Sequence, residues 1–162
     1  MDQQKNKKSE PGVKKQLRRV VALLFLGAVA VMIGLGCYAH SRRVALVWVK
    51  GKLFKSEIAA TPSARELGLS GRDSLCASCA MVFKFDRSGD YSFWMKDMKF
   101  DLDILWADGG RIVAIEKNAS HERGTSVVLD PHVRADTVVE VGAGLAGALG
   151  IKIGDALNVL SL

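Results

Sequence analysis

The run "VVALLFLGAVAVMIGLGCY", Val20 to Tyr38, contains nineteen residues and no charge. That length is close to the ~20 residues a helix needs to cross the hydrocarbon core of a bilayer. Lys5, Lys7, Lys8, Lys14, Lys15, Arg18 and Arg19 precede it, whereas Arg42, Arg43, Lys50, Lys52 and Lys55 follow more sparsely. Basic residues stay on the cytoplasmic side of a membrane helix. The expectation is a single-pass signal-anchor in the cytoplasmic membrane, with the N-terminus in the cytoplasm and the remaining chain on the outer side. Two other fates deliver the chain to the same side. Signal peptidase would cut after Ala39 at "CYA", and Cys37 would be lipidated, although "GLGC" lacks the leucine expected three residues before such a cysteine.

Charge divides at the same place. Residues 1–43 hold nine Lys/Arg against two Asp/Glu, and residues 44–162 hold fourteen against fifteen. The overall +6 therefore belongs to the N-terminal segment, and the larger part, at −1, has no electrostatic footprint for a phosphate backbone. Nucleic acid is excluded as a partner on this ground. The organisation expected is a disordered basic tail over 1–19, a transmembrane helix over 20–38, a linker over 39–43 and an exported domain over 44–162.

Export gives "CASC", Cys76 to Cys79, an oxidising surrounding in which a local disulfide is the default fate. A redox motif wants a thioredoxin-like βαβ context, and none follows. Zinc wants two more ligands at close spacing, but His121 and His132 are too far apart. No metal and no cofactor are expected.

Within 44–162 the pattern is that of short strands. "RVALVWVKGKLFKSEIAA" reads as two strands around a Lys-Gly-Lys turn. Thr61 and Pro62 open a helix of at most two turns, stopped by Gly68 and Gly71. "CAMVFKFD" alternates as a strand and "DRSGD" reads as a turn. "DLDILWA" and "RIVAIEK" flank Asp108-Gly109-Gly110, the best hairpin in the chain. "NASHERGTSVVLDPHVR" has no sustained period and reads as a loop, and "TVVEV" and "DALNVL" are two further strands. The fold class expected is mainly β, a small antiparallel barrel or sandwich with one or two short helices.

Two motifs fail on context. "GAGLAG", Gly142 to Gly147, has the dinucleotide spacing, but Gly150 and Gly154 interrupt the helix that would receive a pyrophosphate, so no nucleotide is expected. Asp101 and Asp103, about 6.6 Å apart along one strand face, have a spacing seen in glycoside hydrolysis, yet acids adjacent on one face do not flank a bond from opposite sides.

"ARELGLSGR", "AMVFKFD", "FWMKDMKFDLDI", "GGRIVAI" and "VVEVGAG…GIKIGD" stand in the order and spacing of a known family. From Glu57 to Leu160 the chain resembles the family of domain of unknown function 192. The resemblance implies a small β-rich fold, commonly behind a signal peptide or an anchor, with no established activity. Its pattern falls on Arg65, Gly68, Leu69, Arg72, Met81, Phe93, Trp94, Met95, Lys96, Leu102, Asp103, Gly110, Glu140, Gly144, Gly150 and Gly154. Asp97 and Met98 replace a usual Asn-Thr, Asp101 replaces a usual proline, and the cysteine pair lies outside the pattern.

Arg72, Lys96, Asp103 and Glu140 are the polar positions whose charges balance. The expectation is one concave spot where Arg72 and Lys96 neutralise Asp103 and Glu140, edged by Trp94 and Met95; the competing reading is an ion-pair tie inside a small barrel. The corresponding function is an envelope binding module for a small or extended ligand. The alternatives are an assembly factor for a membrane complex, and a hydrolase or transferase using Asp103 or Glu140 as general base with Lys96 as stabiliser.

Overall fold

The structure, a computed structural model, describes residues 11–40 and 43–162, with side chains from Arg18 to Met32 in the first stretch and from Val44 onward in the second. Contacts divide the chain into two units, Met1–Ser41 and Arg42–Leu162. The first carries α1, Pro11–His40, a helix of 30 residues. The tail expected over 1–19 lies outside the described residues up to position 10, and from Pro11 onward it is helical instead. Positions 39 and 40 of the expected linker belong to the same helix, Arg43 opens a strand, and positions 41 and 42 lie outside the described residues. Among the described residues no helix is long and apolar enough to cross a membrane. The span expected over 20–38 runs beyond Met32, where the described side chains of α1 stop.

The second unit is a sheet of seven strands: β1 (Arg43–Val49), β2 (Lys52–Ala59), β3 (Cys79–Asp90), β4 (Leu102–Asp108), β5 (Arg111–Ala119), β6 (Arg134–Gly142) and β7 (Leu157–Ser161). Their order across the sheet is β5-β4-β6-β3-β2-β1-β7. The sheet curls into a half-barrel whose two edges meet at one end around Arg111 and Ala156, where the Ile112 N–H donates to Asp155 at 3.0 Å, the Gly154 N–H to Ile112 at 2.8 Å and the Leu157 N–H to Gly110 at 2.9 Å. Lys50 and Gly51, at φ 49° and 76°, form the β1–β2 turn, and Gly109 and Gly110, at 55° and 77°, the β4–β5 turn. Positive φ at both central residues suits the right-handed twist of the flanking strands.

The expected antiparallel arrangement holds except at one pair. β2 and β3 run parallel, Glu57 opposite Met81, joined by a crossover over residues 60–78. A parallel connection requires about a dozen residues or more, usually with a helix. Here the helix is only α2, Pro62–Leu67, whose N-cap Thr61 accepts the Ala64 N–H at 3.1 Å. The expected turn at 86–90 is also absent: β3 continues through it with a register shift between Lys84 and Gly89.

Two cores result. Ala45, Val47, Phe54, Val82, Leu105, Ile112, Val139 and Leu157, drawn from every strand, fill the inside of the half-barrel. Met81, Phe83, Leu102, Ile104, Trp106 and Val138 face outward, where Leu69, Met95 and Leu129 cover them. The strands β3, β4 and β6 are thus covered on both faces, which explains the near-continuous apolar runs "DILWA" and "TVVEV". The outer covering of α2 and the segment 91–100 builds the site described next.

Candidate functional site

Residues directly opposite on neighbouring strands share a face. Register therefore places Glu57, Met81, Glu140, Ile104 and Glu116 in one row across β2, β3, β6, β4 and β5 on the outer face. Three of the five are acids. Glu57 at one end is held by the Arg72 guanidinium in two bonds of 2.6 and 2.9 Å. Glu116 at the other end accepts from Arg123 at 2.9 Å. Glu140 in the middle is 5% exposed, and its Oε2 has no hydrogen-bond partner among the described residues.

Glu140 opens onto a cavity of about 280 Å³. Phe83 shares its floor, residues Arg65 to Ser70 form one wall, and Phe85, Tyr91, Phe93 and Trp94 line the rest. The aromatics brace one another: Phe85 stacks on Tyr91 at 3.4 Å between centroids, and Phe93 meets Phe83 edge-on at 4.8 Å. The Arg65 guanidinium lies 5.3 Å over the Phe85 ring. Gly68 turns the chain out of α2 at φ 51°, beside the Phe83 ring.

The 91–98 segment is not a strand, and it is pinned on both sides. Phe93 and Leu129 exchange backbone bonds of 3.0 and 2.7 Å, and Met95 N–H donates to Gly124 at 3.0 Å. On the other side Ser70 Oγ donates to the Lys96 carbonyl at 2.7 Å and Gly71 N–H to Asp97 at 2.8 Å. The cavity walls are therefore fastened to each other as well as to the sheet.

Burial pushes the Glu140 carboxyl from 4.5 up to about 8, partly opposed by the positive charge of Arg72. At neutral pH the group is mainly the protonated acid, a donor without an acceptor.

The four expected charges do not converge. Asp103 sits opposite Val141 while Glu140 sits opposite Ile104, so the two point to opposite faces of the sheet. Asp103 is fully buried, and its oxygens accept the backbone N–H groups of Asn118 at 2.8 Å and Ala146 at 2.7 Å. Ala146 belongs to the short helix α3, Leu145–Ala148, inside the former "GAGLAG" stretch. Asp101 precedes β4 and accepts from the backbone and ring of His121 at 2.8 and 2.7 Å, so the fold occupies both aspartates. Lys96 lines an adjoining groove with Ser63, Glu66 and Asp97 instead of the aromatic cavity. Met95 is 1% exposed and part of the outer core. Trp94, 45% exposed, and Glu140 are the two expected residues that line the cavity, with Arg72 acting on Glu140 through its charge. Cys76 and Cys79 are disulfide-bonded, Cα to Cα 5.0 Å.

One glutamate under a crossover helix and an aromatic segment, on a curled seven-stranded sheet, is a combination that can be compared with known proteins. The model of the family of domain of unknown function 192, described as an uncharacterized ACR, matches residues 45–159. The chain belongs to that family. No curated protein matches the chain. The crystal structure of a protein of unknown function from Novosphingobium aromaticivorans DSM 12444 is similar at 29% identity and a TM-score of 0.63, covering 72% of this chain and 83% of that one. A candidate transcription regulator from Sinorhizobium meliloti 1021 is similar at 30% identity and the same TM-score of 0.63, covering 73% of this chain and 92% of that one.

Sequence reasoning missed Glu57 as the partner of Arg72, and missed Phe83, Phe85, Tyr91 and the α2 wall as cavity lining. The alternation of Phe83 and Phe85 on β3 was an available signal for two aromatics on one face.

Proposed function

We propose that this protein is a binding module, anchored in the cytoplasmic membrane by α1, that captures a small or extended ligand outside the cytoplasm in the cavity between α2, β3 and the 91–98 segment. The observation that carries this reading is Glu140: a buried carboxyl oxygen without a partner, at the floor of an aromatic-lined cavity. Polar groups buried in a native fold are otherwise paired, and an orphan at a cavity floor marks a place for a ligand group. Trp94 and the Phe85–Tyr91 pair supply area, and Arg65 a charge at the wall. The anchor is supported by the helical backbone of α1 and by its outward apolar side chains, Leu23, Leu24, Phe25 and Met32 among them at 69–72% exposure. The Sinorhizobium meliloti protein is described as a transcription regulator, but direct contact with nucleic acid finds no support here in residues 44–162 with their net charge of −1.

The test has two arms. Fractionation and protease shaving of intact cells should find the protein in the membrane with its C-terminal unit accessible from outside. Mass spectrometry of the protein extracted in mild detergent should find a co-purifying small molecule that Trp94→Ala reduces. A C-terminal unit sheltered with cytosolic markers overturns the location, and an empty cavity in protein from every growth condition counts against capture.

A second reading is favoured by a different surface. Trp48 faces Leu53 across β1–β2, and Leu160 lies beside them on β7, at 49%, 44% and 63% exposure. An exposed apolar face of this kind suits an assembly factor that meets a protein partner. The enzymatic reading loses Asp103 as its base, because both of its oxygens are engaged on the other face.

A further inference from the structure

The middle position of the acid row differs from its ends. Glu57 and Glu116 each receive an arginine, whereas Glu140 receives none that bonds it. An unpaired carboxylate so deeply buried is unfavourable, and the group relieves this by keeping its proton. A kept proton becomes an O–H donor, and no acceptor among the described residues bonds Oε2. The missing partner is therefore an acceptor from outside.

The charge of that partner follows from the groups around it. Arg65 and Glu66 of α2 and Tyr91 of the aromatic wall line the cavity, Glu57 of β2 stands in the same row as Glu140, and Arg72 of the crossover acts on it by charge. Arg65 and Arg72 are balanced by Glu66 and Glu57, so the surround has no net charge to favour an ammonium, which would also have to ionise Glu140. An anion would need a cation at the floor, and Arg72 is committed to Glu57 in two bonds. Phe85 is covered by Tyr91 on one face and by Arg65 on the other, so the half-exposed Trp94 and the rims of the Phe85–Tyr91 pair offer the aromatic surface, and about 280 Å³ is room enough for a benzene-sized ring.

We infer that the ligand is uncharged, places a planar ring in the aromatic-lined cavity, and presents a carbonyl-type oxygen to the Glu140 O–H. This rests on the cavity being the ligand site. Binding is then switched off by ionisation of Glu140, which removes the donor and sets a negative charge against the acceptor oxygen.

The full-length chain in nanodiscs, titrated with para-fluorobenzamide, para-fluorobenzylamine and para-fluorobenzoate and followed by fluorine NMR line broadening, tests this. The benzamide should bind, the other two should not, and the benzamide should bind roughly tenfold more weakly at pH ~9 than at pH ~7. Glu140→Gln, which keeps an N–H donor at every pH, should bind it with no pH dependence, and Glu140→Met should lose binding while melting no lower than wild type. Preference for the amine with affinity rising with pH, preference for the benzoate, or a flat wild-type profile for the benzamide overturns the inference and leaves the cavity as a ligand site. Absence of binding by all three probes overturns both.

Discussion

Asp103 and Ala146, forty-three positions apart, are joined by a buried bond of 2.7 Å from the Ala146 N–H to the Asp103 carboxyl. The side chain thereby caps a four-residue helix whose own N-cap, Gly144, has no side chain to do so. Its second oxygen takes the Asn118 N–H at 2.8 Å. Asp103→Asn must turn an NH₂ toward one of these donors. A loss of about 2–4 kcal/mol is expected, since a buried donor is left unmatched, and thermal unfolding of the variant measures it. Ligand binding per folded molecule should be unchanged.

Glu140 imposes a pH dependence on stability opposite in sign to ordinary acid denaturation. Its carboxyl is raised from 4.5 to about 8, so the folded chain holds a proton that the unfolded chain releases. The contribution is complete below pH ~4.5 and is lost as pH rises toward ~8, at about 1.4 kcal/mol per pH unit. Denaturation of wild type and Glu140→Gln across this window should show a decline in wild type that the variant lacks.

Arg72 lowers the pKa of Glu140, so its removal should raise it further. In Arg72→Met the alkaline end of that decline should move above the wild-type position. Losing the two-bond contact with Glu57, where both side chains are 30% exposed, should cost about 1 kcal/mol. Stability curves of single and double variants with Glu140→Gln separate the two effects, because the pKa component disappears in the glutamine background.

Gly68 leaves α2 at φ 51° and ψ −130°, a region that side chains avoid. A Cβ there would stand 3.5 Å from the Phe83 ring, ordinary contact, so the cost comes from the backbone. Gly68→Ala should lose about 1–3 kcal/mol. It should also weaken capture of any ligand that touches Phe83, which titration of the refolded variant will read.

The Cys76–Cys79 bond closes a loop of sequence separation three. Loop-closure entropy for so short a loop amounts to about 2 kcal/mol, and a paired Cys76→Ser, Cys79→Ser variant should lose no more than that. Melting with and without reductant checks the value.

What the sequence disclosed was what neighbours in the chain decide. Thr61-Pro62 starts a helix through local capping, and Asp108-Gly109-Gly110 makes a hairpin through local backbone freedom, so both could be recognised. The parallel pairing of β2 with β3 could not, because a crossover carrying a six-residue helix leaves no period to detect. The same limit governs the site. Glu140 stood out as an acid in an apolar strand, but whether it shares a face with Asp103 depends on cross-strand register, and that register places them back to back. The Phe85–Tyr91 stack likewise depends on the bulge between Lys84 and Gly89. The family resemblance supplied the fold class and a set of positions, without separating those that hold the barrel from those that line the cavity.

The doubly covered strands and the layer laid over them have different freedoms to change. β4 has nowhere to accept a new side chain, since nearly every position meets one core or the other. The helix α2 and the stretch around Trp94 touch the sheet on one side only. Substitutions in that outer layer can therefore reshape the cavity wall while the sheet beneath it and Glu140 at the floor stay as they are.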